Sequence, residues 1–243
     1  MQKTIIITGS SRGIGKAIAE LAHKQGYKVI VHGKTDSPEL AKTHKELKAS
    51  IKTFFDISDK NAVQTEIGKL GKIDVLVNNA GVALNFLKDI GDVDDQKALM
   101  EYQINVLGTI HCIQAVLPGM IKNKKGSVIN ISSIKGMSQL ATLSTLTFAT
   151  TKAGIISLTK ALAKSYAKDG IRFNVVMPGY VETDQVKLWN EETFKRINEG
   201  TLFGRMASPS EIAPLVMFLA SDEASYITGS EYLIDGGYIL KGK

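Results

Sequence analysis

Three glycines, Gly9, Gly13 and Gly15, stand between the apolar run Ile5-Ile6-Ile7 and an Ala/Ile/Leu-patterned stretch that reaches about Gln25, and this arrangement suits anion binding. The β-branched run is too short for a buried helix and reads as a fully buried strand. The glycines remove side chains where backbone must bend or approach a ligand, and a helix starts at once near Gly13. Its unpaired first-turn amides and positive dipole end face whatever lies beyond the strand's carboxyl end. The spacing Gly-Xaa3-Gly-Xaa-Gly differs from the Gly-Xaa-Gly-Xaa2-Gly dinucleotide fingerprint, although strand, turn and helix follow in the same order. An ordinary glycine-rich turn remains the alternative. Two cations stand near: Arg12 in the loop, and Lys34 after the second apolar run, Tyr27 to Val31. That run ends in His32-Gly33-Lys34, with no carboxylate for ribose hydroxyls until Asp36. Arg12 and Lys34 are either ordinary loop charges or a bracket for a ribose 2′-phosphate.

Further along, Asn78-Asn79-Ala80-Gly81 closes the strand Ile73 to Val77, so that small residues let backbone lie flat against a planar ligand while amides fix the loop. Asn105 interrupts an apolar stretch inside a helical segment, Asp94 to Lys122. It is either a buried, hydrogen-bonded core residue, the reading that position alone favours, or a group aimed into a site. Ser132-Ser133 ends the strand Ser127 to Ile131, and Pro178-Gly179 ends Ile171 to Met177.

The elements that must carry these groups alternate throughout. Helices are expected over Pro38 to Ser50, Asp59 to Leu70, Phe148 to Lys168 and Pro209 to Ala220, and further strands over Ile51 to Phe55 and Glu231 to Ile234. Repeated β-α units of this length require parallel strands joined by right-handed crossovers. The expectation is one α/β domain over residues 1–243, a Rossmann-type doubly wound sheet of about seven parallel strands with helices on both faces. Residues 180–205 show weak periodicity and read as a lid, whose Trp189, Phe194 and Phe203 form either an apolar pocket wall or local core.

Composition excludes several functions. With 243 residues, 44% of them hydrophobic, the chain can bury a sizeable core. No apolar run approaches the roughly 18 to 20 residues that span a bilayer, and the N-terminus enters a strand directly, so no membrane contact or leader is expected. Cys112 is the one cysteine, and His23, His32, His44 and His111 show no ligand spacing with it, which suits a reducing cytoplasm and no metal. The net charge of +6 is spread over polar faces, with only Lys122, Lys124 and Lys125 close together, so no nucleic-acid partner is expected.

Taken in order, Thr8-Gly9-Xaa3-Gly13-Ile14-Gly15, Asn78-Asn79-Ala80-Gly81, Asn105, the strand-end serine, Lys152 on its helix, Pro178-Gly179 and Asp235-Gly236-Gly237 make the chain resemble the short-chain dehydrogenase/reductase family. The C-terminal third, with Gly204-Arg205 and Ile227-Thr228-Gly229, is most similar to the 3-oxoacyl-[acyl-carrier-protein] reductase branch. The resemblance implies an NADP(H)-dependent oxidoreductase acting on a small carbonyl, alcohol or acyl-thioester substrate, assembled as a homotetramer. It implies that Gly9, Ser11, Arg12, Gly13 and Ile14 hold the adenosine pyrophosphate, and Asp56 and Ile57 the adenine. Asn79, Ala80 and Gly81 would line the coenzyme, and Pro178, Gly179, Val181 and Thr183 would flank the nicotinamide amide. Lys152 would bind the nicotinamide ribose, Ser133 would polarise the substrate carbonyl, and Asn105 would hold a proton-relay water, reversing the core reading.

One motif departs. The family's Tyr-Xaa3-Lys has its lysine at Lys152, but Phe148 stands four residues earlier, after a Ser133–Phe148 loop about two residues longer than in the carrier-protein reductases. Phenylalanine has no proton to give, which leaves a second reading, a coenzyme-binding protein on this fold with impaired or no turnover.

Overall fold

A computed structural model describes residues 2–48, 50–184, 186 and 189–241. Its sheet grows from the first strand outward. Strand β1 (Thr4–Ile7) is buried on both faces and lies between β2 (Lys28–Gly33) and β4 (Val75–Asn78), both parallel to it. With β3 (Ile51–Phe54), β5 (Gly126–Ile131), β6 (Ile171–Pro178) and β7 (Glu231–Ile234), the order is β3-β2-β1-β4-β5-β6-β7. Each neighbouring pair is parallel, as the sequence predicts. After β3 the chain returns past β1 to begin β4, so the strand order reverses there and opens a crevice beyond the carboxyl ends of β1 and β4.

Alternation along the strands sorts the core into two layers. Ile5 and Ile7 meet α1 (Gly13–Lys24) and α8 (Pro209–Ala220) through Ile18, Ala22, Ile212 and Val216. Ile6, Leu76, Val128 and Phe173 face the other way, against α3 (Lys60–Gly68), α5 (Thr109–Lys122) and α6 (Leu146–Tyr166). The lone thiol, Cys112, is fully buried in this second layer, and burial pushes its pKa up to about 12.

Helix starts follow local chemistry. Ser37 caps α2 (Pro38–Glu46), Asp59 caps α3 and Asp94 caps α4 (Asp95–Tyr102), each side chain accepting first-turn amides. The expected helix to Ser50 stops at Glu46, and α6 begins two residues earlier than predicted, at Leu146. The segment expected as one helix from Asp94 is α4, a π-helical stretch at Gln103–Gly108, and α5. By length and composition alone Asp95–Lys122 could cross a membrane, which corrects the expectation that no such run exists. Here Cys112, Ile113, Val116 and Met120 of this segment are buried in the core. The predicted lid contains a helix, α7 (Glu191–Gly200), and positions 185, 187 and 188 of it lie outside the described residues.

Candidate active site

The crevice is a cleft of about 340 Å³. Of the residues proposed from sequence, Gly9, Ser11, Arg12, Gly13, Ile14, Lys34, Asp56, Ile57, Asn79, Ala80, Gly81 and Thr183 line it. Val181 is buried and bridges Ala207, while Gly179 hydrogen-bonds Ile234 O as Pro178 ends β6. A methyl on Gly179 would lie 2.7 Å from Asp235 Cα, which ties this turn to the Asp235-Gly236-Gly237 segment.

Asn79 builds the mouth of the cleft. Its Nδ2 donates to Thr8 O (2.9 Å) and Gly9 O (3.0 Å), while Thr8 Oγ1 accepts the amides of Asn79 and Ala80, both at 3.0 Å. Gly15 fits beneath this knot only because it lacks a side chain: a Cβ there would sit 2.4 Å from Gly9 O and 2.5 Å from Asn79 Nδ2. Gly9 and Gly13 take left-handed φ values of 65° and 57°.

His32 does what sequence reasoning missed. Its Nδ1 accepts the Gly9 amide (3.1 Å) and its other ring nitrogen contacts Phe55 O (3.0 Å), so Nε2 carries the proton. Burial lowers its pKa to about 4 despite the Phe55 carbonyl and Asp56, which keeps the ring neutral. Ser10 and His32 also exchange backbone and hydroxyl bonds at 2.9 and 2.8 Å, so the glycine loop is fastened to β2. The signal available was a histidine ending a buried strand beside a glycine turn.

The charges are arranged for an anion. Helix α1 has no capping side chain, unlike α2, α3 and α4, and no acidic residue in its first turn, so its leading amides suit a phosphate. Lys34 is held by Asp56, Nζ to Oδ2 at 2.8 Å. Burial raises the Asp56 carboxyl, but Lys34 and the Ser58 hydroxyl and amide outweigh it and hold the group below its usual range. The residues therefore fit a phosphorylated dinucleotide: glycines in close approach, uncapped amides, and a cation at each side of the loop.

The second corner lies on α6. Phe148 and Lys152 are i and i+4, and Lys152 Nζ sits 5.7 Å from the Phe148 ring centroid. Nζ donates to Ile131 O at 2.9 Å, and burial pulls its pKa down to about 8. Ser132 Oγ donates to Lys152 O (2.8 Å), and the half-buried Ser133 next to it accepts the Lys135 amide at 3.1 Å. Gly81 connects the corners, since a Cβ there would lie 3.1 Å from Asn105 Oδ1 and 3.3 Å from Lys152 Nζ.

Asn105 is buried in the π-helical stretch, where Oδ1 accepts the Val82 amide (2.8 Å) and Nδ2 donates to Val82 O (2.9 Å) and Thr151 Oγ1 (3.0 Å). Its side-chain amide is thus hydrogen-bonded within the protein, and its backbone carbonyl accepts the Thr109 hydroxyl. In the segment expected to be a lid, Tyr180, Trp189 and Phe194 pack on Val186, Ile197 and Met206 as a small separate core, while Phe203 is 77% exposed.

The family model described as enoyl-(acyl carrier protein) reductase matches residues 9–239. The chain is 35% identical to the 3-oxoacyl-[acyl-carrier-protein] reductase FabG of Thermotoga maritima, over 98% of each chain. It is 37% identical to the oxidoreductase UcpA of Salmonella typhimurium, over 98% of this chain and 95% of that one. The crystal structure of a 3-oxoacyl-[acyl-carrier protein] reductase from Brucella melitensis superposes with a TM-score of 0.90 at 29% identity, over 97% of this chain and 90% of the other.

Proposed function

Because the chain belongs to the short-chain dehydrogenase/reductase family, we propose that it is an NADP(H)-dependent oxidoreductase for a carbonyl or alcohol substrate, 3-oxoacyl thioesters included. The observation that carries the coenzyme half is the uncapped start of α1 beside Arg12 and the Asp56-held Lys34. The first-turn amides of α1 and Arg12 would hold the pyrophosphate, and Lys34 would exchange Asp56 for a 2′-phosphate. Asp56 and Ile57 face the adenine, Asn79 keeps the loop to Gly81 in shape, and Lys152 binds the nicotinamide ribose. Pro178, Gly179, Val181 and Thr183 flank the nicotinamide, which supplies or takes the hydride when bound.

Ser133 polarises the substrate carbonyl. The proton has no phenol to come from, so water, Ser133 or the substrate itself must supply it. Losing a positioned acid raises the barrier by about 3 to 5 kcal/mol. The Phe148 ring beside an ammonium favours a second reading as well, in which the coenzyme binds and turnover is impaired or absent.

Isothermal titration is expected to give NADP(H) about tenfold or more over NAD(H), since Lys34 meets the extra phosphate in a cleft that Arg12 also lines and no carboxylate ends β2. Equal affinities, or tighter NAD(H), sink the charge argument. NADPH oxidation over a panel of ketones and 3-oxoacyl thioesters then separates slow turnover from none.

A homotetramer is also expected. Ile113 is spent on the core and Ile110, Ile156 and Leu162 are half-buried, but Leu99, Met100 and Leu107 leave α4 and its π-helical extension apolar and exposed. Light scattering that finds a monomer at micromolar concentration would rule the assembly out.

A further inference from the structure

Glu101 lies in the last turn of α4 and none of its surface is exposed. A carboxylate removed from water needs a cation or a full set of hydrogen-bond donors. Donors are what surround it. Oε1 accepts the amides of Leu84 (2.5 Å) and Asn85 (3.0 Å), and Oε2 accepts the Thr147 hydroxyl (2.5 Å).

Asn105, four residues on, repeats the pattern. Its side chain grips Val82 on one side and Thr151 on the other. Two rungs therefore run from the α4 segment to α6, Glu101 to Thr147 and Asn105 to Thr151, each pair spaced by four residues along its helix. The loop from Val82 to Asn85, which continues from cleft-lining Gly81, is clamped between them. Phe148 and Lys152 each follow a rung residue directly and share its register. Thr145 at the N-cap of α6 makes no side-chain capping bond, so bonds from other segments hold its first turns; beside the Glu101 rung, Tyr102 OH donates to Thr150 Oγ1 (2.7 Å), which donates to Thr147 O (2.7 Å).

We infer that Glu101 is a positioning residue: through Thr147 and the Leu84 and Asn85 amides it fixes the first turn of α6, and so position 148, against the loop that continues from Gly81. Only the purpose of position 148 rests on the oxidoreductase reading; the clamp does not.

Hydrogen–deuterium exchange on Glu101→Leu, Glu101→Gln and Thr147→Val tests it. In Glu101→Leu, exchange at Leu84 and Asn85 accelerates about tenfold or more while β4 keeps its protection. Glu101→Gln, which retains an acceptor oxygen at the same reach, restores most of that protection. Thr147→Val leaves Leu84 and Asn85 protected and speeds exchange only in the first turn of α6. In the Phe148→Tyr protein, Glu101→Leu lowers kcat about tenfold with the coenzyme KM changed less than about threefold.

Unchanged exchange at Leu84 and Asn85 in Glu101→Leu overturns the inference, and so does a loss spread evenly over β4 and the loop. If Glu101→Leu does not fold, Thr147→Val decides: parental exchange at the start of α6 refutes the rung. The exchange measurements need no turnover, so an inactive Phe148→Tyr protein with an intact clamp counts against the oxidoreductase reading alone.

Discussion

Replacing Phe148 with tyrosine is expected to raise carbonyl reduction by about 10² to 10⁴ while coenzyme affinity stays nearly constant. The half-buried ring already lies 5.7 Å from Lys152 Nζ, so the substitution adds a hydroxyl without rebuilding the corner. With burial bringing Lys152 down to about 8, the amine is still largely an ammonium at pH 7. An adjacent cation favours a phenolate and draws the phenol toward working pH. Binding should not respond, because the glycine loop, Asn79 and Lys152 are untouched. Steady-state kinetics of both proteins on small ketones and 3-oxoacyl thioesters measure the change. A Phe148→Tyr protein that binds NADP(H) normally and reduces nothing on the panel would make the non-catalytic reading the leading one.

The second large effect concerns the same lysine and stability. An ordinary lysine pKa of 10.5 falls to about 8 for Lys152 on folding, through burial. Because the folded pKa is the lower one, the unfolded chain binds more protons between about pH 8 and 10.5, and stability rises with pH across that window. Below pH 8 the cost is present in full, about 3 kcal/mol for a shift of this size. Lys152→Met carries no such charge, so its stability relative to the parent is expected to fall by about 2 to 3 kcal/mol between pH 7 and pH 10, measured by urea unfolding. A difference independent of pH would mean that the buried amine is already compensated. The same substitution is expected to weaken NADP(H) binding, measured by isothermal titration.

Sequence carried the fold nearly whole because β-branched runs and glycine breaks mark parallel strands whatever packs on them. Ile5-Ile6-Ile7 reads as a buried strand, and the parallel, doubly wound sheet follows from crossover geometry, whereas the strand order comes from the structure alone. The cleft-lining positions are legible because Gly9 and Gly13 meet backbone demands that show in residue type, while Asn79 holds that backbone with its side-chain amide. What stayed hidden depends on contacts between distant segments. A histidine at the end of a buried strand hints at a polar partner, but only the fold brings His32 to the Gly9 amide, 23 residues away. The π-helical turn at Asn105 follows no periodicity in the sequence, and its side chain is held by Val82 and Thr151 from two other segments. Glu101 reads as one more polar residue in a solvent-facing turn until Thr147 is brought beside it. The lid's aromatic core was ambiguous because Trp189 and Phe194 serve a pocket wall and a local core equally well as letters.

The lone thiol supplies a reporter that no added label could match for discretion. Cys112 belongs to the layer where α3, α5 and α6 meet the sheet, with no exposed surface and a pKa near 12, so alkylating reagents find neither access nor thiolate while that layer is shut. Modification must wait for an opening. The rate of thiol trapping by a reagent in excess therefore counts openings of this layer, and motions that leave the layer shut add nothing to the count. Anything that binds the closed form slows the clock by the free energy of its binding, so a single buried residue that does not line the cleft reads occupancy without any turnover.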